Sequence, residues 1–188
     1  MSEAAIALVS RTEYLEYERD GRVRHEWVGG QMYMMTGSSG RHNQISGRLF
    51  ASLLPVADSH GCRVFIADMK VVTATFGYYP DVMVVCEPEV GTHHEEQPCL
   101  IAEVLSPTTQ DRDRREKWAA YKTISSLRHY LLIKQDDTQV EHRYRTSEDA
   151  PWQHEILGPN DVLALSCPET SMTVSALYTG VDTSTFLK

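Results

Sequence analysis

The chain has no Walker loop, no GxGxxG, no GxSxG and no HExxH. Nucleotide-cofactor chemistry, serine hydrolysis and zinc-peptidase chemistry therefore have no support in it. Cysteine is scarce: Cys62, Cys86, Cys99 and Cys167 are scattered, with no CxxC pair. Two of them fall in apolar, strand-like runs, so buried free thiols in a reducing cytoplasm are expected here, in preference to disulfides or a zinc site. No apolar run approaches the roughly eighteen residues of a membrane span. The N-terminal "MSEAAIALVSRTEYLEYERD" has early acids and no basic n-region, unlike a secretory signal. A cytoplasmic location without a membrane partner is the expectation. Net positive charge is lacking too. A formal charge of -8 argues against broad electrostatic capture of nucleic acid, but it is compatible with a local anionic pocket awaiting a divalent cation.

Repeats, low-complexity tracts and long linkers are also absent, so 188 residues read as a single domain, 1–188, with a sizeable core. "TEYLEYERD" spaces Tyr14, Leu15 and Tyr17 on a short amphipathic helix that Thr12 could cap. "RHEWVGGQMYMMTG" reads as two strands around the turn pair Gly29-Gly30. In "SGRHNQISGRLFASLLPVADSHG", Ile45, Leu49 and Leu53 recur every fourth residue, which predicts a helix. Three strands follow, "CRVFIADMKVVT", "YPDVMVVC" and "PCLIAEVL", the last two apolar enough to be covered on both faces. "SPTTQDRDRREKWAAYKTI" reads as a charged helix with Pro107 near its start, "RHYLLIKQ" as a strand, and the remainder as an antiparallel meander. The expected class is α/β (α+β): helix, three strands, helix, strand over about 42–135. An N-terminal helix and hairpin fall at about 12–36 and the meander at about 138–180.

Two acids sit where apolar residues would be expected. Asp81 follows Pro80 at the head of an apolar strand; Glu103 shares a strand face with Ile101 and Leu105, opposite Leu100, Ala102 and Val104. A lone acid at a strand mouth ordinarily faces water. Two on sequence-adjacent strands can meet at one sheet edge, and two carboxylates that close need a cation between them or a shared proton. Oxygen ligands suit Mg²⁺ or Mn²⁺ better than zinc. On the next helix Asp113, Lys117 and Tyr121 stand at i, i+4 and i+8. Alone, the first two would make an ordinary surface ion pair; Trp118 and Tyr121 around Lys117 suggest that it lies over the sheet edge.

This order of elements, with an acid on the second strand and Glu on the third, resembles the PD-(D/E)XK nuclease superfamily. Within it the chain is similar to the Uma-two family of restriction-endonuclease-like proteins, formerly a domain of unknown function. The matching stretches are "RHEWVGGQMYMMTGSSGRH", "FIADMKVV", "YYPDVMVVC", "IAEVLSPTTQDRDRREKWAAYKTISSLRHYLLIKQD" and the closing meander. The resemblance implies a metal-dependent endonuclease that hydrolyses phosphodiester bonds in DNA. Asp81 and Glu103 would be catalytic metal ligands for Mg²⁺ or Mn²⁺. One departure bears on activity: where the motif calls for lysine, two residues after Glu103, the chain has Leu105. Lys117 from the helix is the favoured replacement. Lys70 is its rival, because one continuous strand would put Val64, Ile66, Asp68 and Lys70 on one face. Glu26 and His42 recur in the family-like stretches, and His42 borders the buried helix face, where it could contact metal, water or phosphate. His93-His94, in an acid-rich loop, are expected to be solvated; the basic run "RDRR" could touch a phosphate backbone, but a solvated helix face is the favoured reading. The alternative function is a catalytically inactive nuclease-fold module that binds nucleic acid or protein, which Leu105 and the negative charge favour. A homodimer would suit duplex cleavage, which needs two active sites.

Overall fold

The computed structural model describes residues 8–35, 37–88, 93–106 and 110–182. In chain order the elements are α1 (Arg11–Asp20), β1 (His25–Val28), β2 (Gln31–Met34), α2 (Gly40–Ser59), β3 (Arg63–Ile66), β4 (Lys70–Val72), β5 (Phe76–Tyr78), β6 (Val82–Val85), β7 (His94–Glu95) and β8 (Leu100–Leu105). A helix over 110–121, here α3, follows; then come β9 (His129–Lys134), β10 (Val140–Tyr144), β11 (Gln153–Leu157), β12 (Val162–Ser166), β13 (Glu169–Thr173) and a 3₁₀ turn, Val174–Tyr178.

Two sheets carry the architecture. The larger runs β11-β10-β9-β8-β6-β3, and the second runs β2-β1-β5-β4-β7; β12 and β13 form a separate hairpin. Within the large sheet only β8 and β9 are parallel, and α3 makes the crossover between them. Alternation on the central strands builds two cores. Leu100, Ala102 and Val104 of β8, with Val82 and Val84 of β6, pack under Ile45, Leu49 and Leu53 of α2. Ile101 and Leu105, with Met83 and Val85, face Tyr121, Phe76 and Tyr78 on the other side. Because β6 and β8 are each covered on both faces, neither alternates polar with apolar, as their composition implied.

The fold is mixed α+β, as the order of helices and strands led us to expect. Gly29 and Gly30 make the first hairpin turn with φ of 55° and 84°, a left-handed pair that only glycine adopts without strain. The α1 cap is Ser10 and not Thr12: its hydroxyl accepts from the Glu13 N–H while Glu13 reaches back to the Ser10 N–H, a reciprocal capping box. The expected strand over "CRVFIADMKVVT" is broken in two. Ala67 and Asp68 take φ of 46° and 40°, and the reversal sends β3 into the large sheet and β4 into the other. Pro107 lies outside the described residues.

The expectation of free thiols is also overturned. Cys62 pairs with Cys86 and Cys99 with Cys167, and no cysteine is free. The scattered spacing hid this because each pair is made by strand pairing or by a distant hairpin. His94 is half-buried against Arg11 and Glu96, where solvation was expected. Among the described residues no helix is long and apolar enough to cross a membrane.

Beneath the outer strands runs a chain of neutral imidazoles. The Ser166 N–H donates to His129 Nε2 (2.9 Å), so His129 donates from Nδ1 to His142 Nε2 (2.9 Å) and His142 donates from Nδ1 to Glu155 Oε1 (2.9 Å). Burial pulls His129 from 6.5 down to about 3, helped by His142 and Arg128, and burial pulls His142 to about 4. An unfolded chain would take up these protons first, so the stability they confer is complete above pH 6.5 and is lost as the pH falls toward 4. Thermal melts should show that loss, and His142→Gln should flatten it. Equal slopes in both proteins would assign the acid sensitivity to carboxylates instead.

Candidate active site

At one end of the central strands a pocket of about 340 Å³ is lined by Glu26, His42, Asp81, Glu103, Arg112, Asp113 and Lys117, among others. Each side chain arrives from a different element for a local reason. Val82 pairs with Ala102, so the next antiparallel step sets Asp81 opposite Glu103. Asp81 lies just outside the ladder, and its carboxylate takes the place of a strand partner: Oδ2 accepts the Val104 N–H at 2.7 Å. His42, in the first turn of α2, reaches the same oxygen with Nε2 at 3.0 Å. Ser39 caps that helix by accepting the His42 N–H, which fixes where the imidazole begins.

Glu103 is 3% exposed, in the middle of β8. Its Oε1 accepts from the Tyr121 hydroxyl at 2.9 Å and lies 3.1 Å from Lys117 Nζ. Lys117 is buried as well, with Nζ also 3.2 Å from Glu26 Oε1 and 3.3 Å from Asp113 Oδ1. Burial alone would lower the lysine's pKa, yet Glu103, Glu26 and Asp113 together hold it well above 10.5. For Glu103 burial dominates. It lifts the carboxyl well above 4.5, Lys117 opposes, and Asp113, Asp81 and Glu26 push it further up. The lysine is held in its charged form, and the buried glutamate takes up a proton more readily than a solvated carboxylate would.

The helix that carries Lys117 is irregular. Gln110–Arg112 and Trp118–Tyr121 are α-helical, and Asp113–Lys117 form a π-turn between them. A π-turn bonds i to i+5 and so stacks residues five apart. Arg112 and Lys117 accordingly meet on the same carboxylate: Arg112 Nη1 is 2.5 Å from Glu26 Oε2. The Arg112 guanidinium also lies over the rings of Tyr33 and Tyr78, at 5.2 and 5.8 Å. Its Nη2 is buried without a hydrogen-bond partner among the described residues. Asp113 Oδ1 likewise has no well-aligned hydrogen bond, and its contact with Lys117 is one of charge.

Sequence reasoning singled out Asp81, Glu103, Lys117, Asp113, Tyr121, Glu26 and His42, and the structure brings these together. It does not bring in the other two. Lys70 belongs to β4 in the other sheet, with Nζ 5.5 Å from the Tyr79 ring, and Asp68 is an exposed partner of Arg24 at 3.8 Å. The shared face proposed for them depended on an unbroken strand. Sequence reasoning missed Arg112. It stood inside a basic run for which a solvated face was the favoured reading, and the π-turn brings it onto the same carboxylate as Lys117. Its neighbour Arg114 is absorbed by Glu141 at 2.5 Å.

The molecule therefore has a nuclease-like fold with an acid-lined pocket at the sheet edge. It superposes on the crystal structure of a putative nuclease of the DUF820 family from Anabaena variabilis with a TM-score of 0.75, 15% identity, and coverage of 93% of this chain and 99% of that one. The chain belongs to the Uma2 family, described as "Putative restriction endonuclease", whose model matches residues 11–175. Two uncharacterized proteins of Synechocystis sp. (strain ATCC 27184 / PCC 6803 / Kazusa) are similar over most of their length. slr1290 is 33% identical, covering 92% of this chain and 93% of its own; for sll1609 the values are 32%, 88% and 97%.

Replacing Lys117 by Met would leave three carboxylates facing one another without their common cation. The expected cost is about 3–5 kcal/mol in urea unfolding at neutral pH. Loss of Lys117 raises the folded pKa of Glu103 further, and a raised carboxyl costs stability as pH rises through that value. The deficit relative to the original chain should therefore shrink on acidification. A deficit independent of pH would mean that packing, and not charge, sets it.

Proposed function

We propose that the chain is a metal-dependent endonuclease that hydrolyses phosphodiester bonds in DNA with a site of the PD-(D/E)XK type. The observation that carries this reading is the ammonium of Lys117 on Glu103, 3.1 Å from Oε1, although the motif's own lysine position holds Leu105. The donor set fits a divalent cation. Glu26, Asp81, Glu103 and Asp113 bring four negative charges to the pocket against two positive ones from Arg112 and Lys117. Among the described residues, the protein bonds of Asp81 fall on Oδ2, and those of Glu103 on Oε1. The second oxygen of each is thus the natural ligand for Mg²⁺ or Mn²⁺. Such a cation, when bound, supplies Lewis acidity toward a phosphoryl oxygen and acidifies a water.

The protein's own groups have separable tasks. Asp81 and Glu103 would hold the cation. His42 spends Nε2 on Asp81 and orients that carboxylate, so it serves the metal through Asp81. Lys117, permanently charged, orients water or balances charge that gathers on the phosphoryl group. Glu26 and Asp113 position Lys117, Tyr121 holds Glu103, and Arg112 offers a cation near the substrate phosphate.

Supercoiled plasmid and single-stranded DNA, incubated with Mg²⁺ or Mn²⁺, should be cut by the chain and spared by Asp81→Asn and Lys117→Met. Mn²⁺ should raise the melting temperature of the original chain and of Lys117→Met, and leave Asp81→Asn unmoved. Stabilisation by Mn²⁺ without any cleavage would favour the inactive binding module, for which the -8 charge already argues. Equal stabilisation of all three proteins would remove the metal site.

A further inference from the structure

The four cysteines meet at the opposite end of the central strands. Cys86 leaves β6 at the end away from Asp81, five residues on, which is roughly 17 Å of strand. Cys99 enters β8 four residues before Glu103. Cys62 precedes β3 and continues its register with β6, since Arg63 faces Val85. Cys167 stands in the turn of the β12–β13 hairpin, beyond Ser166. The two sulfur pairs are not independent. Cys86 Sγ lies 3.6 Å from Cys99 Sγ and 3.6 Å from Cys167 Sγ, and the sulfurs of Cys86, Cys99 and Cys167 all fall within 4.8 Å of one another.

Two separate cross-links would not need a common centre. A tetrahedral zinc ion does: Zn–S bonds of about 2.3 Å set sulfurs about 3.8 Å apart, close to the 3.6 Å from Cys86 Sγ to each sulfur of the other pair. Cys62 stands outside this group of three sulfurs and is joined to it through Cys86. Supports on both sides hold the cluster in place. The Cys99 N–H donates to the Val84 carbonyl at 2.8 Å, and the Ser166 N–H and hydroxyl both meet His129, itself held to the Cys99 carbonyl through its backbone N–H at 3.1 Å. The hairpin that carries Cys167 is thereby fastened to the strand that follows Cys99 in the sheet.

We propose that Cys62, Cys86, Cys99 and Cys167 form a structural site for one soft divalent cation of the zinc class when the chain is reduced. A dithiol supplies two electrons and two protons to each disulfide, giving two thiols and the dithiol's own cyclic disulfide. Binding one Zn²⁺ to the four thiols then releases four protons and leaves a four-thiolate site of charge −2. The site ties the β12–β13 hairpin to the large sheet, and it shares no ligand with the carboxylate pocket.

The full-length chain, reduced anaerobically and freed of reductant, should be titrated with Co²⁺ as a spectroscopic probe. One equivalent should develop an intense near-ultraviolet thiolate-to-cobalt band, which Zn²⁺ abolishes. Asp81→Asn should give the same band, since the carboxylates lie elsewhere. Zn²⁺ should also protect all four thiols from alkylation, read by mass spectrometry. Each single Cys→Ser variant should weaken Zn²⁺ by about tenfold or more in competition with a chromophoric chelator, and the air-oxidised chain should give no band. Absence of the thiolate band from the reduced original chain would overturn the proposal, whatever the variants do. So would a band of undiminished intensity in Cys86→Ser.

Discussion

The ammonium of Lys117 is the contact on which the site depends. Burying it costs several kcal/mol, and no single carboxylate would repay that. Three do, at 3.1 to 3.3 Å, and each comes from a different part of the molecule: Glu26 from β1 in the second sheet, Glu103 from β8 in the large sheet, and Asp113 from the preceding turn of its own helix. The lysine is thus a joint between two sheets and a helix. The same arrangement leaves the carboxylates with too much negative charge for one cation. Arg112 takes up part of the excess at Glu26; at Glu103 burial raises the pKa most, and Asp113, Asp81 and Glu26 add to it.

The π-turn is what lets one short helix supply two cations to one carboxylate. In a regular α-helix, residues five apart point about 140° away from each other. With the wider turn, Arg112 and Lys117 converge on the two oxygens of Glu26. The aromatic residues around them serve the same end. Tyr78 lies 5.6 Å beneath Lys117 Nζ and 5.8 Å from the Arg112 guanidinium, and it packs edge-on against Tyr121. These rings exclude water from the charges while offering them electron-rich faces.

Much of this could be read from the sequence, where local periodicity and global packing agreed. Glu103 was recognisable because it interrupts an apolar alternation, and the pairing of Asp113 with Lys117 because i, i+4 holds in both α- and π-geometry. The hairpin at Gly29-Gly30 and the buried stripe of α2 followed from turn chemistry and spacing. What failed depended on backbone geometry that composition does not encode. "FIADMKVV" has strand propensity throughout, yet Ala67 and Asp68 adopt positive φ, and Lys70 ends in a different sheet from the one its alternation suggested. Arg112 could not be told from its basic neighbours without the π-turn. The cysteines are 24, 13 and 68 residues apart in chain order, so only tertiary structure could gather them.

Leu105 shows why the lysine is better placed on the helix. It lies on the same face of β8 as Glu103, is 3% exposed, and belongs to the apolar cluster of Tyr121, Phe76 and Tyr78. A lysine there would have to leave that cluster to reach the pocket, and its departure would open the packing that seats Tyr121 on Glu103. From α3 the ammonium reaches the same Glu103 oxygen as the Tyr121 hydroxyl, with the apolar layer intact below. The cost is that its position now depends on the π-turn and on Glu26 of the second sheet. Any motion of the two sheets relative to each other would move Glu26 away from Lys117 and weaken its hold on Glu103. In this fold, the placing of the Lys117 charge and the packing of the two sheets are a single constraint.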